Sequence, residues 1–276
     1  MNPIFQKTRR LSNGVEMPIL GYGVWLTEEK QAAESVRTAI EVGYRAIDTA
    51  EVYFNEAGVG EGIRNSGIPR DQLFVTTKVH NDSQGYDNCL RAFDISMKKL
   101  GMDYADLYLI HWPMRSTYVE TWRALIRLYE EKRVRAIGVS NFHPHHIENI
   151  VKDSGVWPMV DQIEMHPRLV QPAVHDFCDA HDIAVTAYCP LMHGNLDLPL
   201  LADLGAKYGK SAAQVVLRWH IQHGNIIIPK TLKRERMISN AEILDFELTA
   251  EEMAAIDGLS NGTRYTDDPD NFPWDA

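Results

Sequence analysis

Tyr44–Ala50 reads YRAIDTA, a short run of apolar and strand-forming residues that stops on a carboxylate, Asp48. LFVTTK at 73–78 repeats the design and stops on Lys78, and DLYLIHWP at 106–113 carries His111 where its apolar part ends. Tyr53 follows Asp48 by five positions. In a parallel sheet or barrel the carboxyl ends of the strands open into one mouth, where α/β enzymes place their chemistry. A carboxylate, a phenol, an ammonium and an imidazole meeting there form a proton-transfer site, so the chain reads as an enzyme.

Comparable runs begin near Ile19, Arg135, Met159, Ala184 and Ile226, making eight with the three above. Helical periodicity fills the intervals. Thr27 is the expected N-cap of a helix with Ala32, Ala33, Val36, Ala39 and Ile40 on one face and Gly43 at its end. Capping boxes at Ser211-x-x-Gln214 and Thr249-x-x-Glu252 open two later helices. Strand and helix alternating eight times predict a parallel sheet with right-handed crossovers, closed into a (β/α)8 TIM barrel. The chain has 276 residues and no Pro/Gly/Ser-rich linker, so residues 1–276 read as one domain. Residues 7–18, turning at Asn13-Gly14, predict a β-hairpin under the barrel. The polar tail after Gly258 predicts a C-terminal arm, with Trp274 folding back over the mouth.

The net charge of −10 leaves no basic footprint for nucleic acid or for an anionic membrane. Cys89, Cys178 and Cys189 are an odd, widely spaced set without a CxxC pair, which points to a reducing compartment. The N-terminus lacks a signal-peptide core, and no apolar run reaches the roughly 20 residues of a membrane span. A soluble, cytoplasmic protein is expected.

Taken together, GYRAIDTAEVYFNE (43–56), LFVTTK, DYADLYLIHWP (103–113), RAIGVSNF (135–142), DQIEMHP (161–167), AVTAYCPL (184–191) and IPKT (228–231) resemble the aldo-keto reductase family. The resemblance runs from near the hairpin to the arm. DSQGYDN (82–88) and KKLGMDYADLYLIHWP (98–113) are most similar to the branch of bacterial 2,5-diketogluconate reductases and trypanosomatid prostaglandin F synthases. Physical logic stands beside it. Carbonyl reduction needs a proton for oxygen, and Tyr53 is the natural donor. A free phenol, with a pKa of about 10, is a reluctant acid, and an ammonium at Lys78 favours its ionised form. Asp48 pairs with Lys78, and His111 orients and polarises the carbonyl.

The resemblance implies NADPH lying across the mouth. Ser140, Asn141 and Gln162 would hold its carboxamide, Tyr188 would stack on the nicotinamide, and Leu191 lies in the loop beside the pyrophosphate. Lys230, Thr231 and Arg236 would take the 2′-phosphate and Asn240 the adenine; a guanidinium there favours NADPH over NADH. Gly58, Gly60 and Gly62 imitate a dinucleotide loop but fall inside a helix pattern, which favours close helix packing. Trp25, His80 and Trp112 are the expected substrate pocket. His143, His145 and His146 lack a matching carboxylate or cysteine cluster and His143-Pro144 suits a helix start, so no metal is expected. Cys189 has no evident base partner. The chain departs from the family pattern at His80, Asp161, Met192-His193-Gly194 and Ser239, mostly around the mouth. The reading is an NADPH-dependent reductase of small-molecule aldehydes and ketones, monomeric, without nucleic-acid or membrane partners. The alternative is a reductase-like, cofactor-sensing regulatory subunit.

Overall fold

A computed structural model describes residues 2–272; Trp274 lies outside them. The hairpin pairs β1 (Thr8–Arg10) with β2 (Glu16–Pro18) in antiparallel register, Thr8 opposite Pro18. Gly14 adopts φ +86°, the left-handed turn that the Asn-Gly pair foretold. Asn13 Nδ2 donates to Arg135 O at 2.9 Å, and Leu11 and Met17 are buried, so the hairpin closes the end of the barrel opposite its mouth.

Eight parallel strands follow: β3 (Gly21–Gly23), β4 (Ala46–Asp48), β5 (Phe74–Val79), β6 (Ala105–Ile110), β7 (Val134–Ser140), β8 (Val160–Glu164), β9 (Ala184–Tyr188) and β10 (Ile226–Ile227). Each pairs with the next, and a parallel bridge between Leu20 and Ile227 joins the last to the first. The expected TIM barrel is therefore present and closed. Around it run α1 (Glu29–Val42), α2 (Glu56–Asn65), α3 (Tyr86–Leu100), α4 (Tyr118–Glu130), α5 (Pro144–Ser154) and α6 (Pro172–Ala180). They continue with α7 (Pro199–Tyr208), α8 (Ala212–Gln222), α9 (Arg234–Ala241) and α10 (Ala250–Asp257). Among the described residues no helix is long and apolar enough to cross a membrane.

Local chemistry explains most boundaries. Ser211 and Thr249 accept hydrogen bonds from the backbone of Gln214 and Glu252, whose side chains reach back, so both capping boxes form. Pro144 takes the first position of α5 after His143. Thr27 is not the cap of α1. Glu28 holds that position without a side-chain bond, because Thr27 belongs to the preceding turn, where its carbonyl receives the Asn55 amide.

The glycines of α2 are packing residues, as their place in a helix suggested. A Cβ on Gly58 would stand 2.0 Å from the Glu29 carbonyl oxygen of α1, and one on Gly60 2.0 Å from that of Leu100 in α3. Helix backbones this close leave no room for a side chain. Strand alternation then sets the site. Thr77 Oγ1 points outward to Glu56 on α2 at 2.7 Å, so its neighbour Lys78 must point into the barrel.

Candidate active site

Lys78 is fully buried. Its Nζ donates to Asp48 Oδ1 at 2.6 Å and to Thr49 O at 3.0 Å, and lies 3.4 Å from Tyr53 OH. Asp48 Oδ2 accepts from Gln162 Nε2 at 2.8 Å, so one carboxylate links β4, β5 and β8. Tyr53 reaches this pair through a single 3-10 turn, Glu51–Tyr53, after which Phe54 (φ 53°) reverses the chain. Asn55 fixes that turn. Its amide donates to Val24 O and Thr27 O, both at 2.9 Å, and its oxygen accepts from Thr49 Oγ1 at 2.8 Å. Sequence reasoning passed over Asn55, although it stands inside the GYRAIDTAEVYFNE segment. The His111 ring meets the Tyr53 ring edge-on at 5.7 Å.

A second network forms the opposite wall. Ser140 Oγ donates to Gln162 O at 2.8 Å, and Asn141 Nδ2 donates to His111 O at 3.0 Å. Tyr188 OH donates to Asn141 Oδ1 at 2.7 Å and is 2.8 Å from Thr266 Oγ1. Glu164 was not singled out from sequence, yet it ties the arm to this wall. It accepts from Tyr265 N at 2.6 Å and from Thr266 Oγ1 at 2.5 Å, and lies 3.0 Å from His166 Nε2. Farther along the arm, Phe272 stacks on Trp112 with ring centroids 4.5 Å apart.

Burial governs the protonation states. It pushes the Tyr53 phenol well above its usual value, and the Asp48 charge adds to the rise. It lowers the Lys78 ammonium, opposed by Asp48. Burial, then Lys78 and His80, hold His111 far below the usual imidazole range. The downward pull expected of Lys78 on the phenol is thus outweighed. Desolvation is the larger effect, and the ammonium is committed first to a carboxylate 2.6 Å away. At neutral pH the site holds a protonated phenol and a neutral imidazole.

These groups line one end of a cavity of about 990 Å³, with Asp48 at its floor and Lys78 beneath. Trp25 and Trp112 line the same end, and Ser140, Asn141, Gln162, Tyr188 and Leu191 continue the wall. The far end carries Lys230, Thr231, Arg236 and Asn240 together with Ala212 at the start of α8. Among the described residues Arg236 pairs with no carboxylate, and it is exposed. An unpaired guanidinium between two helix starts suits an anion. His80 does not line this cavity. Its ring nitrogen caps the turn Asn81–Ser83 and its backbone N–H donates to Glu51 Oε2 at 2.8 Å, because the chain turns away straight after β5. His193 does line it, with its ring between Trp25 at 5.6 Å and Tyr265 at 5.3 Å. Burial pushes the Cys189 thiol up to about 12, which leaves it a poor nucleophile. The histidines 143, 145 and 146 are not without a carboxylate: the arm brings Asp270 to them.

The profile of the Aldo/keto reductase family matches residues 19–261. The chain is 51% identical over 267 residues to a glyoxal reductase of Bacillus subtilis, covering 96% of this chain and 97% of that protein. It is also 51% identical to a 9,11-endoperoxide prostaglandin H2 reductase of Trypanosoma cruzi, covering 95% and 94%. A solved structure of a Gox0644 mutant in complex with NADPH superposes with a TM-score of 0.92 at 41% identity, covering 96% of this chain and 98% of that one.

The buried histidines give the fold an acid limit. Burial lowers His220 to about 3. An unfolded histidine takes its proton near pH 6.5, so the folded state falls behind as soon as the pH drops below that value. Stability is full above about pH 6.5 and is lost as the pH falls toward 3. At about pH 4.5, His220 alone accounts for about 2–3 kcal/mol of that loss. Urea unfolding near pH 7 and near pH 4.5 measures it, and His220→Gln should lose correspondingly less than wild type between the two. An equal loss in both proteins would contradict the assignment.

Proposed function

This chain belongs to the aldo/keto reductase family, and we propose that it reduces small dicarbonyls and related aldehydes to alcohols with NADPH, using Tyr53 as the proton donor. One observation carries the residue roles: a buried Lys78–Asp48 pair lies within 3.4 Å of the Tyr53 hydroxyl, whose ring meets that of His111 edge-on. The residues present suit the cofactor. The cavity joins that proton-handling end to Arg236, and the walls between supply the amide and hydroxyl groups of Ser140, Asn141 and Gln162. Arg236, with Lys230 and Thr231, would hold the 2′-phosphate, Asn240 the adenine, Leu191 the pyrophosphate side and Tyr188 the face of the nicotinamide. Bound NADPH supplies the hydride that reaches the carbonyl carbon.

The chain's own residues handle the charge on oxygen. His111, being neutral, donates a hydrogen bond to the carbonyl and fixes its direction toward Tyr53. An alkoxide is a stronger base than tyrosinate, so proton transfer from Tyr53 runs downhill even though burial has raised its pKa. The resulting phenolate sits 3.4 Å from the Lys78 ammonium. That attraction grows only as the proton leaves, so it favours the transition state over the ground state. Asp48 and Thr49 O hold Lys78 in place and keep it charged. No step asks for a metal.

Trp25 and Trp112 form the apolar side of the substrate end, and His193 between Trp25 and Tyr265 gives its rim a polar edge. The dicarbonyl class rests on that polar rim and on similarity to the glyoxal reductase. Three free cysteines, two of them buried, support a cytoplasmic location. The strong net negative charge of −10 supports the absence of a nucleic-acid partner, and a monomer is the proposed state.

Two measurements check this reading. Tyr53→Phe should lower kcat for methylglyoxal by about 10²–10⁴-fold, the span of a lost general acid, while NADPH binding by fluorescence stays unchanged. Near-normal turnover would remove Tyr53 as the donor. Arg236→Ala should weaken NADPH binding by about 1.5–3 kcal/mol and leave NADH binding almost untouched. Equal losses for both cofactors would rule out the phosphate role.

A further inference from the structure

We infer that His145, His146 and Asp270 form a binding site for one divalent transition-metal ion of the zinc class, which clamps the C-terminal arm onto α5. The site is separate from the carbonyl chemistry and does not depend on it. Its ligands come from two elements far apart in sequence. The histidines stand in the first turn of α5, and Asp270 lies in the 3-10 turn Pro269–Asn271 of the arm.

The spacing suits such an ion. Asp270 Oδ1 lies 3.2 Å from His145 Nε2 and 3.7 Å from His146 Nε2, and one ligand atom from each residue falls within 4.8 Å of the others. Tetrahedral bonds of about 2.0–2.1 Å place ligand atoms about 3.3 Å apart, so the three need little movement to share an ion. A water would complete the shell. Two imidazoles and one carboxylate select zinc and its first-row neighbours rather than calcium or magnesium, which require mostly oxygen.

The surroundings hold the carboxylate in position. His143 Nδ1 is 2.8 Å from Asp270 Oδ2, the oxygen that the ion would leave free. Arg115 donates to the Asp270 carbonyl at 3.0 Å, and Asp270 N–H donates to Asp268 Oδ1 at 3.0 Å. Outer hydrogen bonds of this kind orient metal ligands. The site is open to solvent, since the His145 side chain is 61% and the Asp270 side chain 44% exposed. A groove past Pro144, Glu148 and Gln171 leads up to it.

Three features oppose the ion and limit its affinity, the first being the positive charge of the Arg115 guanidinium beside Asp270. His146 Nδ1 accepts the His143 backbone N–H at 3.1 Å, so its neutral ring carries the proton on Nε2. Metal at Nε2 shifts that proton to Nδ1 and gives up this helix-capping bond. The positive end of the α5 dipole also repels a cation, against which Asp270 and Asp268 supply two negative charges. A weak, reversible clamp follows, rather than a permanent structural metal. Its effect reaches the cavity, because Phe272, two residues beyond Asp270, stacks on Trp112 next to His111.

The test uses the full chain without an affinity tag, stripped of metal and titrated with Zn²⁺ against a chromophoric chelator. Hydrogen exchange of residues 264–272 is followed with and without the ion. One equivalent should bind and slow exchange in the arm. His145→Gln and Asp270→Asn should each weaken binding at least about tenfold and abolish the slowing, whereas His181→Gln, outside the cluster, should change neither. Absence of Zn²⁺ binding, or undiminished binding in either ligand variant, would overturn the site.

Discussion

A lysine ammonium with no exposure to solvent is the constraint around which the mouth of this barrel is built. Removing such a charge from water costs several kcal/mol, and the cost is offset only where geometry supplies close partners. Asp48 at 2.6 Å and Thr49 O at 3.0 Å are those partners, and both come from the end of β4. Asp48 must in turn satisfy its second oxygen, which takes the Gln162 amide from β8. The buried charge therefore dictates the relative positions of three strand ends. Asn55 extends the same constraint to the turn carrying Tyr53 by joining Thr49 to the loop after β3.

The low-dielectric setting that makes the pair demanding also sets the chemistry. Burial pushes the Tyr53 phenol up and His111 down, so under the proposed roles donor and polariser would stand ready at neutral pH. In the proposed reaction charge would be created only next to an ammonium already in position, which is how a preorganised site lowers a barrier. Glu164 and the arm shield this region from one side, through Thr266 and Tyr188.

Much of this could be read from the chain. The strand ends at Asp48, Lys78 and His111 announced themselves because apolar runs that stop on an ionisable residue are local patterns. The capping boxes at Ser211 and Thr249 were legible for the same reason, and the glycines of α2 read correctly as packing once seen inside a helical period. What stayed hidden depends on distance in sequence. Glu164 meets Tyr265 across 101 positions, and His143 meets Asp270 across 127. No period or spacing encodes such meetings, so the arm's anchor and the carboxylate beside the histidines emerge only in the folded chain. His80 and Thr27 failed differently. Each sits at an element boundary, where a one-residue change in the path of the backbone decides what the side chain faces. The net shift of the phenol was not legible because a charge partner can be read from sequence, while the degree of burial cannot.

The central claim is that burial keeps Tyr53 protonated above a charged Lys78–Asp48 pair. Carbon-13 NMR of protein labelled at the tyrosine Cζ tests it directly, with the Tyr53 signal assigned by its loss in Tyr53→Phe. The account predicts a phenol resonance that stays constant from about pH 6 to about pH 10. A phenolate resonance at neutral pH would contradict it.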